Sequence, residues 1–226
     1  MLKFNELPEY MQNDAVKEYY DILQKKKLSL FLKRAFDIVV SGIMIIVLLP
    51  IFAILAILIK CDSKGPVMFR QVRITRYGKE FRIFKFRTMV NNADKIGSQV
   101  TTNNDARITK VGAKLRGVRL DELPQLFNVF AGDMSFVGTR PEVKKYVERY
   151  TDSMYATLLL PAGITSEASI EYKDEEKLLA GGEDTDEIYV NQVLPQKMKY
   201  NLESIKKFSM FSDIKTMFRT VFAVLK

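Results

Sequence analysis

The sequence predicts an α+β fold, mainly α: a re-entrant membrane helix hairpin broken at Pro50, a small antiparallel β-hairpin, and interfacial amphipathic helices around a cytoplasmic domain. Three observations predict it. A charge-free run of 22 residues, IVVSGIMIIVLLPIFAILAILI, extends from Ile38 to Ile59. Basic residues crowd both of its flanks. Two short segments with alternating side chains follow it, separated by a turn signal. Expected boundaries are 1–32 for an N-terminal amphipathic segment, 33–60 for the membrane helix and 61–226 for the cytoplasmic domain, which ends in a C-terminal interfacial helix.

The apolar run is the strongest signal. At about 1.5 Å per residue its helix is roughly 33 Å long, the thickness of a bilayer core. It lies too far inside the chain for a signal peptide and has no small-residue cleavage site. Two features argue against a simple crossing. Pro50 sits near its middle, where it removes a backbone donor and kinks or breaks a helix. Lys25, Lys26, Lys27, Lys33 and Arg34 precede the run, and Lys60, Lys64, Arg70, Arg73 and Arg76 follow it. A spanning helix needs one basic flank, on the cytoplasmic side; two suit a bent hairpin with both ends cytoplasmic. A straight anchor with a tolerated kink is the competing reading.

Residues 14–32 place Val16, Tyr19, Tyr20, Ile22 and Leu23 among charges, the pattern of an interfacial helix. Near the C-terminus Phe208, Phe211, Ile214, Met217, Phe218, Val221, Phe222 and Leu225 recur at steps of three and four beside Lys207, Lys215 and Arg219. That stripe suits a membrane interface and a protein core equally.

Val67–Arg73 and Glu80–Thr88 read as strands with a turn near Tyr77-Gly78. In the second, Phe84 and Phe86 point one way, and Lys85 and Arg87 the other, giving a basic rim. Residues 117–128 lead into a helix whose apolar face is Leu123, Leu126, Phe127 and Phe130; Pro124 falls in its first turn if Asp121 is the N-cap. Residues 131–141, AGDMSFVGTRP, read as a structured loop, and residues 181–187, GGEDTDE, as an exposed acidic loop.

Composition limits the chemistry. The chain has 226 residues, no His and one Cys, which excludes a Ser-His-Asp triad, His-containing zinc sites and an internal disulfide. Residues 60–120 carry 15 basic and 4 acidic residues, a block of +11 that favours phosphorylated ligands, anionic headgroups or nucleic acid. No Gly-rich phosphate loop and no nucleic-acid motif accompanies it. Asp121-Glu122 at a helix start reads alone as an ordinary cap. Beside this basic block and Arg140-Pro141, an acid pair also suits a Mg²⁺-bound diphosphate, with oxygen-only ligation shared with substrate.

These residues carry a resemblance. KRAFD, FRQVR, FKFRTM, LDELPQLFNVFAGDMSFVGTRPE and the GIT near residue 163 resemble the bacterial sugar transferases, monotopic phosphoglycosyl transferases that start surface-glycan assembly on a polyprenyl phosphate. The resemblance runs from about Lys33 to the C-terminus. It implies a re-entrant helix broken at Pro50, although Leu49 stands where a Ser is frequent. It implies a catalytic Asp-Glu dyad at Asp121 and Glu122, which are also the Mg²⁺ ligands, with Glu122 serving either the metal or proton transfer. Thr139-Arg140-Pro141 replaces a Pro-Arg-Pro, and Ser166-Glu167-Ala168-Ser169 replaces a Gly-Trp-Ala-Gln. Arg140 is the first phosphate contact expected, with Lys85, Arg87 and Arg119 as further candidates.

The implied reaction moves a sugar 1-phosphate from a nucleotide diphosphate sugar, a UDP-sugar, to a polyprenyl phosphate, undecaprenyl phosphate, through a covalent aspartyl intermediate. The implied partners are that donor, that acceptor and membrane lipid, without nucleic acid, at the cytoplasmic face of the bacterial inner membrane. Sugar, glycan pathway and oligomeric state stay open. A membrane-anchored basic protein that binds nucleic acid or anionic lipid without catalysis is the alternative; it needs no dyad, and its binding falls steeply with salt. A membrane glycosyltransferase that moves the sugar without its phosphate differs in releasing the nucleoside diphosphate.

Overall fold

The computed structural model describes residues 1–93, 105–172 and 185–225. After two short 3₁₀ turns, helix α1 (Asp14–Gln24) is capped by Asn13, whose side chain accepts from the Val16 amide at 2.9 Å. Val16, Tyr19, Tyr20 and Leu23 fall on one face at helical spacing and are buried against Tyr150, Leu158 and Leu194. The apolar face of α1 is thus covered by the protein core, while Leu28, Phe31 and Leu32, at the end of the same expected segment, stay exposed.

Helix α2 (Lys27–Asp62) is one 36-residue helix that continues through Pro50, and by length and composition it can cross a membrane. The expected boundary at residue 33 falls inside it. The chain stays helical on both sides of the proline. One face (Lys33, Asp37, Ser41, then Phe52, Leu55, Ile59) is buried. The opposite face exposes Phe31 at 70%, Ile46 at 69% and Ile57 at 64%.

Both ends of α2 are tied down. Lys33 donates to the Val137 carbonyl at 2.8 Å and pairs with Asp213, while Arg34 donates to the carbonyls of Val129 and Phe130. At the other end Asp62 accepts from the Val111 amide at 2.8 Å.

Strands β1 (Met68–Ile74) and β2 (Glu80–Phe86) pair antiparallel, Met68 opposite Phe86 and Ile74 opposite Glu80, as the alternation predicts. The turn places Tyr77 at φ 60° and Gly78 at φ 73°. The positive φ of Gly78 favours glycine, and a Cβ there would also displace the exposed Tyr10 hydroxyl.

Helices α3 (Lys110–Gly117) and α4 (Gln125–Ala131) follow. Leu126 of α4 is buried, but Phe130, expected on the same apolar face, is half exposed. Residues 134–137, expected within a loop, form strand β3 (Met134–Val137), which pairs in parallel with β4 (Ala162–Thr165). Between them lie helix α5 (Lys144–Val147) and a 3₁₀ stretch, Met154–Leu159. The two strands end in a close backbone approach: a Cβ on Gly163 would lie 2.1 Å from the Gly138 nitrogen, so the GIT and SFVG segments need glycine where they meet.

The chain closes with α6 (Glu167–Glu171), α7 (Thr185–Ile188), a π-turn at Tyr189–Val193, α8 (Leu194–Lys206) and α9 (Met210–Leu225). Of the expected acidic loop, 181–184 lie outside the described residues. Asp186 belongs to α7 and accepts from Lys145 and Tyr146. Helix α9 divides its stripe: Thr216 and Asp213 face the protein, whereas Phe211, Phe218, Val221 and Phe222 stay exposed.

Candidate active site

Three elements bring the charged residues together. β2 carries Lys85, a 3₁₀ turn (Leu120–Glu122) ahead of α4 carries the acid pair, and the loop after β3 carries Arg140. Glu122 Oε1 accepts from Lys85 Nζ at 2.8 Å and from Arg140 Nη2 at 2.7 Å. Burial alone would lift the Glu122 carboxyl, but the charges of Arg140 and Lys85 and their hydrogen bonds overturn that and hold it well below its ordinary range.

Asp121 differs. It is buried, and among the described residues neither of its carboxylate oxygens accepts a hydrogen bond. Burial raises its carboxyl above the ordinary aspartate value; Lys85 opposes the rise, and the neighbouring Glu122 charge adds to it. Two adjacent carboxyl groups thus have different characters. Glu122 is a doubly paired anion, and Asp121 is a buried carboxylate that burial stabilises poorly.

Asp121 is not the N-cap of the following helix: that place belongs to Pro124, and the acid pair lies in the preceding turn. Arg119, just before the turn, is left-handed at φ 57°. For a non-glycine residue this costs about 1 kcal/mol or more, the kind of local strain that concentrates at functional sites. Asn128, buried in α4, clamps the turn to the hairpin. Its Oδ1 accepts from the Phe84 amide at 2.8 Å and its Nδ2 donates to the Arg82 carbonyl at 3.1 Å, as a neighbouring strand would. Lys85 is thereby set against Glu122.

The Arg140 segment is stitched to the adjacent strand. The Pro141 carbonyl accepts from Arg73, the Glu142 carbonyl from the Ile74 amide, and the buried Glu142 carboxylate from the Tyr189 hydroxyl at 2.5 Å. β1 therefore sets the positions of both cations that hold Glu122: Lys85 through its pairing with Phe69, Arg140 through Arg73 and Ile74.

The structure thus brings together Asp121, Glu122, Lys85 and Arg140, with Arg119 at the rim. Arg87 goes elsewhere. Its guanidinium donates to the carbonyls of Ile59, Ser63 and Lys64 and to the Ser63 hydroxyl, satisfying the terminal carbonyls of α2. Its alternation with Lys85 hid this, because the strand ends at Phe86. Pro50 lies inside α2. Asn128 and Glu142 were missed. The available signal for Asn128 is a polar residue within an apolar helical stretch; for Glu142 it is only adjacency to Arg140-Pro141.

Among the described residues no group of three or more Asp, Glu, Cys or His side chains is placed to hold a metal. The site offers two adjacent carboxylates, one of them free of hydrogen bonds. That donor set fits a Mg²⁺ that takes its remaining oxygens from substrate phosphate and water.

Comparisons with known proteins point to one family. The chain is 36% identical over 199 residues to a UDP-N-acetylgalactosamine-undecaprenyl-phosphate N-acetylgalactosaminephosphotransferase of Aeromonas hydrophila, a match covering 86% of this chain and 44% of that protein. It is 38% identical over 201 residues to a UDP-glucose:undecaprenyl-phosphate glucose-1-phosphate transferase of Klebsiella pneumoniae, covering 86% and 40%. A Caulobacter vibrioides protein named for that same glucose-1-phosphate transfer is 33% identical over 196 residues, covering 85% and 69%. The chain spans less than half the length of the first two relatives. The family model described as bacterial sugar transferase matches residues 28–226, from the start of the apolar helix through the acid pair, Arg140 and the C-terminal helix, and the chain belongs to that family.

Proposed function

We propose that the protein transfers a sugar 1-phosphate from a UDP-sugar to undecaprenyl phosphate, as the first membrane step of polysaccharide or glycoconjugate synthesis. The observation that carries the reading is Asp121: a buried carboxylate without a hydrogen bond among the described residues, beside a Glu122 already neutralised by Lys85 and Arg140.

An Asp121 oxygen attacks the sugar-linked phosphorus. The bond from that phosphorus to the bridging oxygen breaks, and the nucleoside monophosphate leaves with the electron pair. An oxygen of the lipid phosphate then attacks the same phosphorus and expels the aspartate, giving a polyprenyl diphosphate sugar and restoring the enzyme. Two unit charges about 4 Å apart repel by roughly 4 kcal/mol at an effective dielectric of 20, so attack on a diphosphate needs compensating charge. Arg140 and Lys85 provide it while Glu122 fixes their positions. Mg²⁺ held by Asp121, Glu122 and the diphosphate would supply further neutralisation when bound.

Purified protein supplied with both substrates is expected to release nucleoside monophosphate. Release of nucleoside diphosphate would instead make it a glycosyltransferase. With donor alone, mass spectrometry is expected to find a phosphosugar on Asp121. Because burial raises that carboxyl, adduct formation should fall on the acid side at a pH above the ordinary aspartate value. An acid limb at or below that value would contradict the role of a poorly stabilised nucleophile.

The membrane arrangement belongs to the same proposal: α2 enters the cytoplasmic leaflet and returns, bending at Pro50. The support is that one protein body grips both ends of α2, through Lys33 and Arg34 at one end and Asp62 and Arg87 at the other, while its other face is apolar and exposed. The exposed Phe211, Phe218 and Phe222 of α9 extend that surface. In a Cys61→Ser background, Lys3→Cys and Ser209→Cys should both be labelled by an impermeant reagent only after the inner membrane is opened. Labelling of the residue 3 position from outside would establish a crossing helix.

A further inference from the structure

A cavity of about 240 Å³ opens beside the acid pair, on the side of Glu122 and Arg140 that faces α9. At its polar end stand Arg119, Arg140 and Glu122, the last already paired with Arg140; its walls include Met44 of α2, Ile164 of β4, Ile170 of α6 and Ala223 of α9. Two of its hydroxyls, Thr165 and Thr220, are bonded to each other at 2.7 Å. Arg140 is engaged by Glu122, but the exposed Arg119 guanidinium forms no ion pair or hydrogen bond among the described residues.

The location narrows the ligand. Met44 and Ala223 sit on the two helices whose outer faces expose Ile46, Ile57, Phe218 and Phe222. The cavity therefore joins a charged end at Arg119, Arg140 and Glu122 to the helices that expose these apolar side chains. A sugar and a nucleobase need polar partners along their length, because burying unpaired polar groups is costly. A branched hydrocarbon bearing one phosphate needs a cation at one end and apolar walls beyond it.

We infer that this cavity receives the acceptor, with its phosphate at Arg119 and Arg140 and its first isoprene units between Met44, Ile164, Ile170 and Ala223. The inference rests on the transferase reading and extends it to the site of the second substrate. It separates the two substrates in space: the prenyl chain approaches between α2 and α9, and the donor reaches Asp121 from another side.

Filling the cavity tests this. Ala223→Trp and Ile170→Trp are expected to raise KM for undecaprenyl phosphate at least fivefold, with donor KM within twofold of the native value. A rise in donor KM at constant acceptor KM would give the cavity to the donor, and no change in either would show that it is unused; both overturn the inference. A second measurement uses the unaltered protein in nanodiscs, so it survives misfolding of the variants and also failure of the transferase reading. Photolysis with a farnesyl phosphate carrying a diazirine on its first isoprene should label peptides containing 164–170 and 220–223. Labelling confined to the exposed face of α2 would overturn the inference even if turnover is as proposed.

Discussion

Asp121→Asn is expected to abolish turnover, by at least about 10³-fold, as loss of a nucleophile does in covalent catalysis. The protein should remain folded and membrane-bound. The sign of the stability change follows from the environment of the carboxyl group. Its folded-state proton affinity is raised by burial, so ionisation above the unfolded value costs stability rather than providing it. An uncharged amide of the same shape removes that cost. The melting temperature of the variant at neutral pH is therefore expected to equal or exceed that of the native protein. Adduct formation from donor alone, detected by mass spectrometry, should disappear in the same preparation. Turnover near the native rate, or an adduct recovered at another residue, would eliminate Asp121 as the covalent group.

Where sequence periodicity and tertiary packing agreed, the fold was legible. The hairpin is such a case: two apolar segments around a turn signal predicted its strands, and Tyr77-Gly78 supplied the left-handed turn. The acid pair alone reads as an ordinary cap; the motif blocks around it single it out with Arg140, and the structure brings Glu122, Lys85 and Arg140 into contact. Other features were hidden for physical reasons. An amphipathic stripe has the same period whether protein or lipid covers it, so α1 and α9 looked alike, yet Tyr19 and Leu23 are buried and Phe218 is exposed. β3 and β4 are four-residue strands whose pairing spans the intervening α5, which no local pattern encodes. Arg87 follows Lys85 in the strand alternation, but the end of α2 supplies several carbonyl oxygens and captures it. The partners of Asn128 are backbone groups of β2, and side-chain identity in the strand says nothing of them.

Glu122→Gln should fail in a different way from its neighbour. The native carboxylate, with its side chain only 11% exposed, is shared by Lys85 and Arg140, and its folded-state proton affinity is depressed. A depressed carboxyl contributes stability that is present above its unfolded value and is lost only as pH falls through the lower folded value. At neutral pH that contribution is complete, and the amide removes it while leaving two cations facing each other. Breaking a buried pair costs about 3–5 kcal/mol, and because Arg140 is about a third exposed the expected loss is nearer 2–3 kcal/mol. Chemical denaturation at neutral pH should show a lower midpoint for Glu122→Gln and none of that loss for Asp121→Asn, although the two residues are adjacent. Adding Lys85→Met to Glu122→Gln should recover part of the stability, because it removes one unpaired charge, and should recover no activity, because Arg140 still lacks its anchor. Equal destabilisation by the two single substitutions would mean that the acid pair acts as one structural unit, contrary to the division of roles drawn from their surroundings.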